Sequence, residues 1–231
     1  MTILIPLLLG LVAGTVQAGD TAPHVDAGLY TDFPTSVGLR GTVELPGRLR
    51  LSLGGGVLPD PYLASIHGVA TGAGWYSDEL ATLIDTALTR AWVLRSQVGW
   101  RPWEDRGFVA SGGVQQVLAV GGEAVAEEVK AGFRAAAADG SDYFPRSRLT
   151  LLTVDVGHEW ILQERLVLRA TLGGAFTLGA STKAEELAEA EAPFDRLRAA
   201  GRGLLEDYLD DTYTRYVHTP SLGVEIGWRF R

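Results

Sequence analysis

Apolar and polar positions alternate with period two over eight separate stretches of this chain, most plainly at its end. Leu222, Val224, Ile226, Trp228 and Phe230 share one parity, while Gly223, Glu225, Gly227 and Arg229 share the other. Successive side chains of an extended strand point to opposite faces, so this stretch has one apolar face and one small or charged face. The same pattern predicts strands over about Val25 to Asp32, Ser36 to Leu45, Arg48 to Leu58, Arg90 to Arg101, Gly107 to Gly121, Ser147 to Leu162, Leu166 to Ala180 and His218 to Phe230. In the fourth, Trp92, Leu94, Val98 and Trp100 oppose Val93, Arg95, Gln97, Gly99 and Arg101. In the sixth, Leu152, Val154, Val156 and Trp160 oppose Thr153, Asp155, Gly157 and Glu159.

The connections between these strands are unequal. Phe33-Pro34-Thr35, Pro46-Gly47, Pro102 to Arg106 and Gln163-Glu164-Arg165 are short, while Pro59 to Thr89, Gly122 to Arg146 and Ser181 to Val217 are long. After the first hairpin, short and long alternate strictly. An even number of strands with short turns at one end and long loops at the other fits an antiparallel up-and-down transmembrane β-barrel, its termini on the short-turn, periplasmic side. The long loops carry helical periodicity. Helices are predicted near 77–88, opened by Ser77 with Asp78 and Glu79 in the first turn, near 122–138, and near 183–215 with a break at Pro193. Their apolar stripes predict a helical cap over the external barrel mouth, or packing on the membrane surface.

The start of the chain changes the setting of these strands. Ile3 to Val12 is an apolar run followed by small residues at Val16 and Ala18, which reads as a cleaved secretory signal over 1–18. Residues 19–231, about 213 in number, suit one β domain. There is no cysteine, which removes disulfides, thiolate metal sites and a cysteine nucleophile. A net charge of -8 argues against a nucleic-acid partner, which needs a basic stripe. No cofactor is called for, and no histidine cluster has metal-ligand spacing.

Polar residues inside a spanning strand must face the lumen. Arg40, Glu44, Arg50, Arg95, Gln97, Arg101, Gln115, Asp155, Glu159, Arg169, Glu225 and Arg229 are the candidates, and eight strands leave an interior only wide enough for side chains to fill. An unpaired ion there is costly, so a network of arginines and carboxylates is predicted, acting as a plug or as a gated ion path. Aromatic residues supply a second prediction. Trp100, Trp103, Phe108, Trp160, Trp228 and Phe230 fall at the periplasmic ends of their strands, and Trp92 and Phe176 at the opposite ends, as expected of two interfacial girdles.

With signal, strands, loop asymmetry and aromatic ends combined, the mature chain resembles the small up-and-down outer-membrane barrels of the OmpA and OmpX kind. The resemblance is one of pattern. It implies a structural, surface-interaction or narrow-transport role in a Gram-negative envelope, contact with outer-membrane lipid and lipopolysaccharide, and insertion by the barrel assembly machinery, which reads the last strand. Trp228 and Phe230 match the alternating aromatic pair of that assembly signal, but Arg231 follows Phe230 and the glycines at 223 and 227 are offset from the usual positions.

Two other readings stay open. A lipid hydrolase or acyltransferase would use His67, near Ser65, or His218, near Thr219 and Ser221. A soluble lipocalin-like barrel would turn the apolar face inward around a ligand. The acidic loops are a further feature. Ser181 to Val217 holds nine Asp or Glu against five Lys or Arg, and Pro59 to Thr89 holds four acids and no Lys or Arg. Without the spacing of a cation-binding loop, they read as solvated helix surface.

Overall fold

Eight strands form where alternation predicts them in the computed structural model, which describes residues 23–72, 74, 81–82, 84–85, 88, 90–103, 107–119, 143–186 and 195–230. They are β1 (His24–Phe33), β2 (Ser36–Leu45), β3 (Leu49–Val57), β4 (Trp92–Trp100), β5 (Phe108–Leu118), β6 (Tyr143–Leu162), β7 (Leu166–Glu186) and β8 (His218–Phe230). Each pairs antiparallel with its neighbour in sequence, and β1 pairs with β8 from Val25↔Phe230 to Phe33↔Leu222, which closes the barrel. Closure leaves no edge strand to seek another partner.

Side chains sort as the alternation requires. Leu29, Leu39, Leu53, Leu94, Val114, Val154, Leu172 and Ile226, one from each strand, are among those exposed on the outer surface. Leu39 and Leu53 reach 66% and 70% exposure, which a protein that hid its apolar side chains from water would not show. The lipocalin-like reading is overturned here, because the apolar face points out and the charged face in. Glycines let large groups cross the narrow interior. A Cβ on Gly54 would stand 3.3 Å from the Tyr30 ring.

The hairpin of β6 and β7 is longer than predicted. Its strands hold 20 and 21 residues where β1 to β4 hold 9 or 10, so it rises above the barrel rim. Thr150 pairs with Gly179 and Leu151 with Thr177, which leaves Leu178 as the extra residue of a bulge. A bulge exchanges the two faces beyond it, so the alternation that defined β7 loses its phase there, although the strand continues. Lys183 to Glu186, predicted helical, are therefore strand.

Two long helices stand at the same end. α1 (Asp60–Gly72) was not predicted, since the connection Pro59 to Thr89 was read as helical only near 77–88; proline is tolerated in the first turn of a helix, where its missing N–H has no intrahelical partner. α2 (Asp195–Tyr216) covers the second part of the helix predicted near 183–215. Of the stretch near 77–88, Ala81, Thr82, Ile84, Asp85 and Leu88 are helical, while the proposed Ser77 cap, the helix near 122–138 and the signal over 1–18 lie outside the described residues. Tyr62 of α1 packs edge-on against Phe33, with ring centroids 5.0 Å apart, and its hydroxyl lies 2.5 Å from that of Thr31. These contacts dock α1 on the first hairpin.

Candidate functional site

The lumen is filled by two stacked groups of side chains with opposite chemistry. The one toward the chain termini is ionic. Glu159 of β6 is its centre, meeting Arg50 at 2.7 Å, Arg169 at 2.6 Å, Arg229 at 3.5 Å and Arg101 at 3.7 Å. Glu44 takes Arg101, and Asp26 takes Arg229 at 2.8 Å and Arg50 at 3.5 Å. The chain of contacts then climbs through Arg169 to Glu225 at 2.7 Å, Glu225 to Arg40 at 3.1 Å, and Arg40 to Asp32 at 2.5 Å. Arg95 joins Asp32 to Asp155, the latter at 2.6 Å, where Gln97 also donates at 2.7 Å. The Arg40 guanidinium lies over the Tyr30 ring, 4.2 Å from its centroid.

Six arginines (40, 50, 95, 101, 169 and 229) and six carboxylates (Asp26, Asp32, Glu44, Asp155, Glu159 and Glu225) make the network neutral, and every one of them is buried. Neutrality is what confinement demands, since an uncompensated ion in a closed interior is strongly destabilising. All twelve residues predicted to point inward are buried there, Gln115 included. Asp26 and Asp32 were missed. The signal was present: the predicted set held six arginines and only four carboxylates, and these aspartates share the parity opposite Val25 and Leu29 on β1. Asp32, Arg40, Arg50, Arg95 and Asp155 help to line a cavity of about 20 Å³, room for one or two waters.

Toward the long loops the filling becomes apolar. Val93, Val117, Leu149, Leu151 and Ala175 point inward from β4 to β7 and pack with Leu63 of α1, Ile84, Leu88, Ala91, and Leu209 and Tyr213 of α2. Leu209 and Tyr213 have no exposed surface. The Tyr213 hydroxyl accepts from Ser147 at 3.3 Å, and Ser147 lies 3.0 Å from Thr182, so α2 is held against the inner face of the tall hairpin. Burial pushes the Tyr213 phenol above its ordinary value of 10, against the opposing effect of the Ser147 bond. Leu63 of α1 and Leu209 and Tyr213 of α2 are thus buried at the long-loop end of the lumen.

Gln115 occupies the seam between the two groups. It pairs in register with Arg95 of the ionic network on one side and with Leu151 of the apolar group on the other. It is 1% exposed, and among the described residues neither of its amide atoms has a hydrogen-bond partner; nor has the Thr153 hydroxyl.

The aromatic residues divide between the two rims. Trp100 pairs with Leu49, Trp228 with Leu166 and Phe230 with Val25, while Trp160 lies beside Leu168, all at the end carrying the termini. Trp103 packs edge-on with Phe108 in the same rim at 5.7 Å, and Trp92 and Phe176 are exposed at the opposite rim.

Among the described residues, the two histidines of the hydrolase reading stand apart from the serines that the sequence places near them. His218 is exposed on the outer face of β8, where its Nδ1 accepts the Thr177 backbone N–H at 3.3 Å. Ser221 faces the lumen and donates to Asp155 at 3.4 Å. His67 and Ser65 are two residues apart on α1, a spacing that turns side chains away from each other, and Ser65 donates to the Pro61 carbonyl at 2.7 Å. Burial holds the His67 imidazole below its ordinary value, with the charge of Asp85 acting the other way. Among the described residues no group of three or more acids and histidines is placed to hold a metal ion.

No protein-family model matches the chain, and no curated protein matches it in sequence. Among solved structures, it is similar to the N-terminal β-barrel domain of Pseudomonas aeruginosa OprF at 10% identity, with a TM-score of 0.46, covering 90% of this chain and 96% of that one. It is similar to Acinetobacter baumannii CarO at 9% identity, with a TM-score of 0.40, covering 89% of this chain and 97% of that one.

Proposed function

We propose that this chain is an integral outer-membrane barrel with periplasmic termini and a closed lumen, which holds a helical cap at the cell surface in a structural or surface-interaction role. The observation that carries the reading is the filling of the lumen among the described residues: a neutral ion network lies below and an apolar group above, and the cavity lined by Asp32, Arg40, Arg50, Arg95 and Asp155 measures about 20 Å³. A barrel whose interior is occupied at both levels is a wall and a support, not an aqueous path. Membrane insertion is supported by the apolar outer surface of all eight strands, which is far more than the scattered apolar residues of a water-soluble exterior. The two aromatic rims lie where the interfaces of a bilayer fall. Export through the 1–18 signal and reading of Trp228 and Phe230 by the assembly machinery complete the proposal.

The full chain folded in detergent micelles should give a band on electrophoresis that changes mobility on heating, and it should precipitate when the detergent is removed. Free solubility in buffer with no heat-modifiable band contradicts membrane insertion. Reconstituted in liposomes, it should leave swelling in small sugars at the rate of protein-free vesicles. Swelling at a porin-like rate contradicts the closed lumen and supports the transport reading instead.

A further inference from the structure

The ion network is neutral as a whole, but its charge is unevenly placed around the cavity of about 20 Å³. Four of its arginines, Arg40, Arg50, Arg95 and Arg169, line that cavity, against two of its carboxylates, Asp32 and Asp155. Arg101 and Arg229 stand elsewhere in the network with Asp26, Glu44, Glu159 and Glu225. The wall of the cavity is therefore positive, and the rest of the network carries the compensating negative charge.

The same wall is rich in donors and short of acceptors. Asp32 already takes Arg40 at 2.5 Å and Arg95, while Asp155 takes Arg95 at 2.6 Å, Gln97 at 2.7 Å and Ser221 at 3.4 Å. Both acids are engaged. The Arg95 Nε is buried with no hydrogen-bond partner among the described residues, and Ser111 and Thr171 bring hydroxyls to the same wall. A guanidinium donates and never accepts, so four of them around one space cannot satisfy one another. A water placed there would find donors in excess and little to receive its own protons. An anion accepts only, and its attraction to the arginines is strengthened away from bulk solvent.

We propose that this cavity is a binding site for one small monovalent anion of the halide class, held by Arg95 and by the Ser111 and Thr171 hydroxyls. About 10–15 Å³ of such space admits one water, so the site takes an ion little larger than water and excludes sulfate, phosphate and carboxylates. The ion is a structural ligand of the lumen. It enters as the barrel folds, a point that rests on the filled lumen described above.

The test uses the full chain folded in neutral detergent micelles with sodium chloride, sodium bromide or sodium gluconate at equal ionic strength, with the urea midpoint as readout. Chloride and bromide should raise the midpoint above that in gluconate, and each tenfold increase in halide above the dissociation constant should add an equal increment, as for a ligand that binds only the folded state. Ser111→Ala with Thr171→Val removes two hydrogen bonds to the ion and should weaken halide binding roughly 100-fold. The heat-modifiable band reports folding of the variant. Parent protein folded in bromide, exchanged into gluconate and then denatured should release bromide in amounts equal to the chain, a readout that stands even where the variant does not fold. Equal midpoints in chloride and gluconate at every concentration overturn the site and leave the membrane and closed-lumen readings intact, as does an equal halide increment in the parent and the folded double variant. A halide-dependent midpoint with bromide lost during exchange upholds the site and contradicts the closed lumen instead.

Discussion

The lower and upper halves of the lumen solve the same problem by opposite means. Below Gln115, the strands are joined by ions whose partners come from across the barrel, as when Glu159 of β6 meets Arg50 of β3. Above it, they are joined by apolar contacts to helices that belong to the loops, as when Leu209 of α2 meets the group containing Leu149 and Val93. The ionic half is specified by charge balance and tolerates no single deletion, because each missing partner strands another ion. The apolar half is specified by volume, so a deletion leaves a cavity whose cost depends on how far the helices can settle. The difference teaches that closure of the wall and closure of the mouth are separable.

The largest effect should come from Glu159→Ala, which removes the carboxylate shared by Arg50, Arg101, Arg169 and Arg229. Loss of about 3–5 kcal/mol is expected, read as a lower urea midpoint in micelles, because four guanidiniums lose one buried partner. An unchanged midpoint would mean that the network is not confined as described. Next is Leu209→Ala, expected to cost ~3 kcal/mol confined to the cap. It should speed hydrogen exchange near Ala91 and in the second half of α2 by roughly 100-fold while leaving exchange in β1 to β3 alone. Equal acceleration in both regions would break the claim that the halves are independent.

A smaller effect of opposite sign is expected at the seam. Gln115→Leu replaces an amide that has no partner among the described residues by an apolar side chain beside Leu151, and should stabilise the barrel by ~1 kcal/mol. Destabilisation would show that the seam is a polar layer in its own right. Smallest of all at neutral pH is Tyr213→Phe, which loses the bond from Ser147 and about 1 kcal/mol or less. Its pH dependence is more informative. The buried phenol is raised above 10 in the folded cap, so its contribution is fully present below pH 10. As pH rises from there toward the folded value, the unfolded cap gains by ionising and that contribution is lost. Protection of α2 in the parent should therefore fall above pH 10, and Tyr213→Phe should not share the fall.

Much of the lower half was legible in the sequence, because a charge within a spanning strand has only one tolerable direction. Arg95 between Leu94 and Ser96, or Glu225 between Val224 and Ile226, points inward from its neighbours alone. Asp26 and Asp32 escaped because β1 is rich in small and polar residues and its alternation is faint, though the excess of arginines over acids called for them. The upper half was less legible. Where the interior itself is apolar, as along Leu149, Leu151 and Leu152, both faces of the strand read alike. The Leu178 bulge hid the extension of β7 for a related reason: period two survives a bulge only on either side of it. α1 was obscured by prolines that serve as a turn or as a helix start, and which one they become is decided by packing on Phe33 and Thr31, contacts distant in sequence.

Conductance of the parent protein in a planar bilayer tests the central claim, that the barrel is closed at two levels. Single insertions, checked by the heat-modifiable band of the same preparation, should be electrically silent in concentrated potassium chloride, and Leu209→Ala should be silent as well, because the ionic half still fills the wall. Steady ohmic steps from the parent would contradict the account.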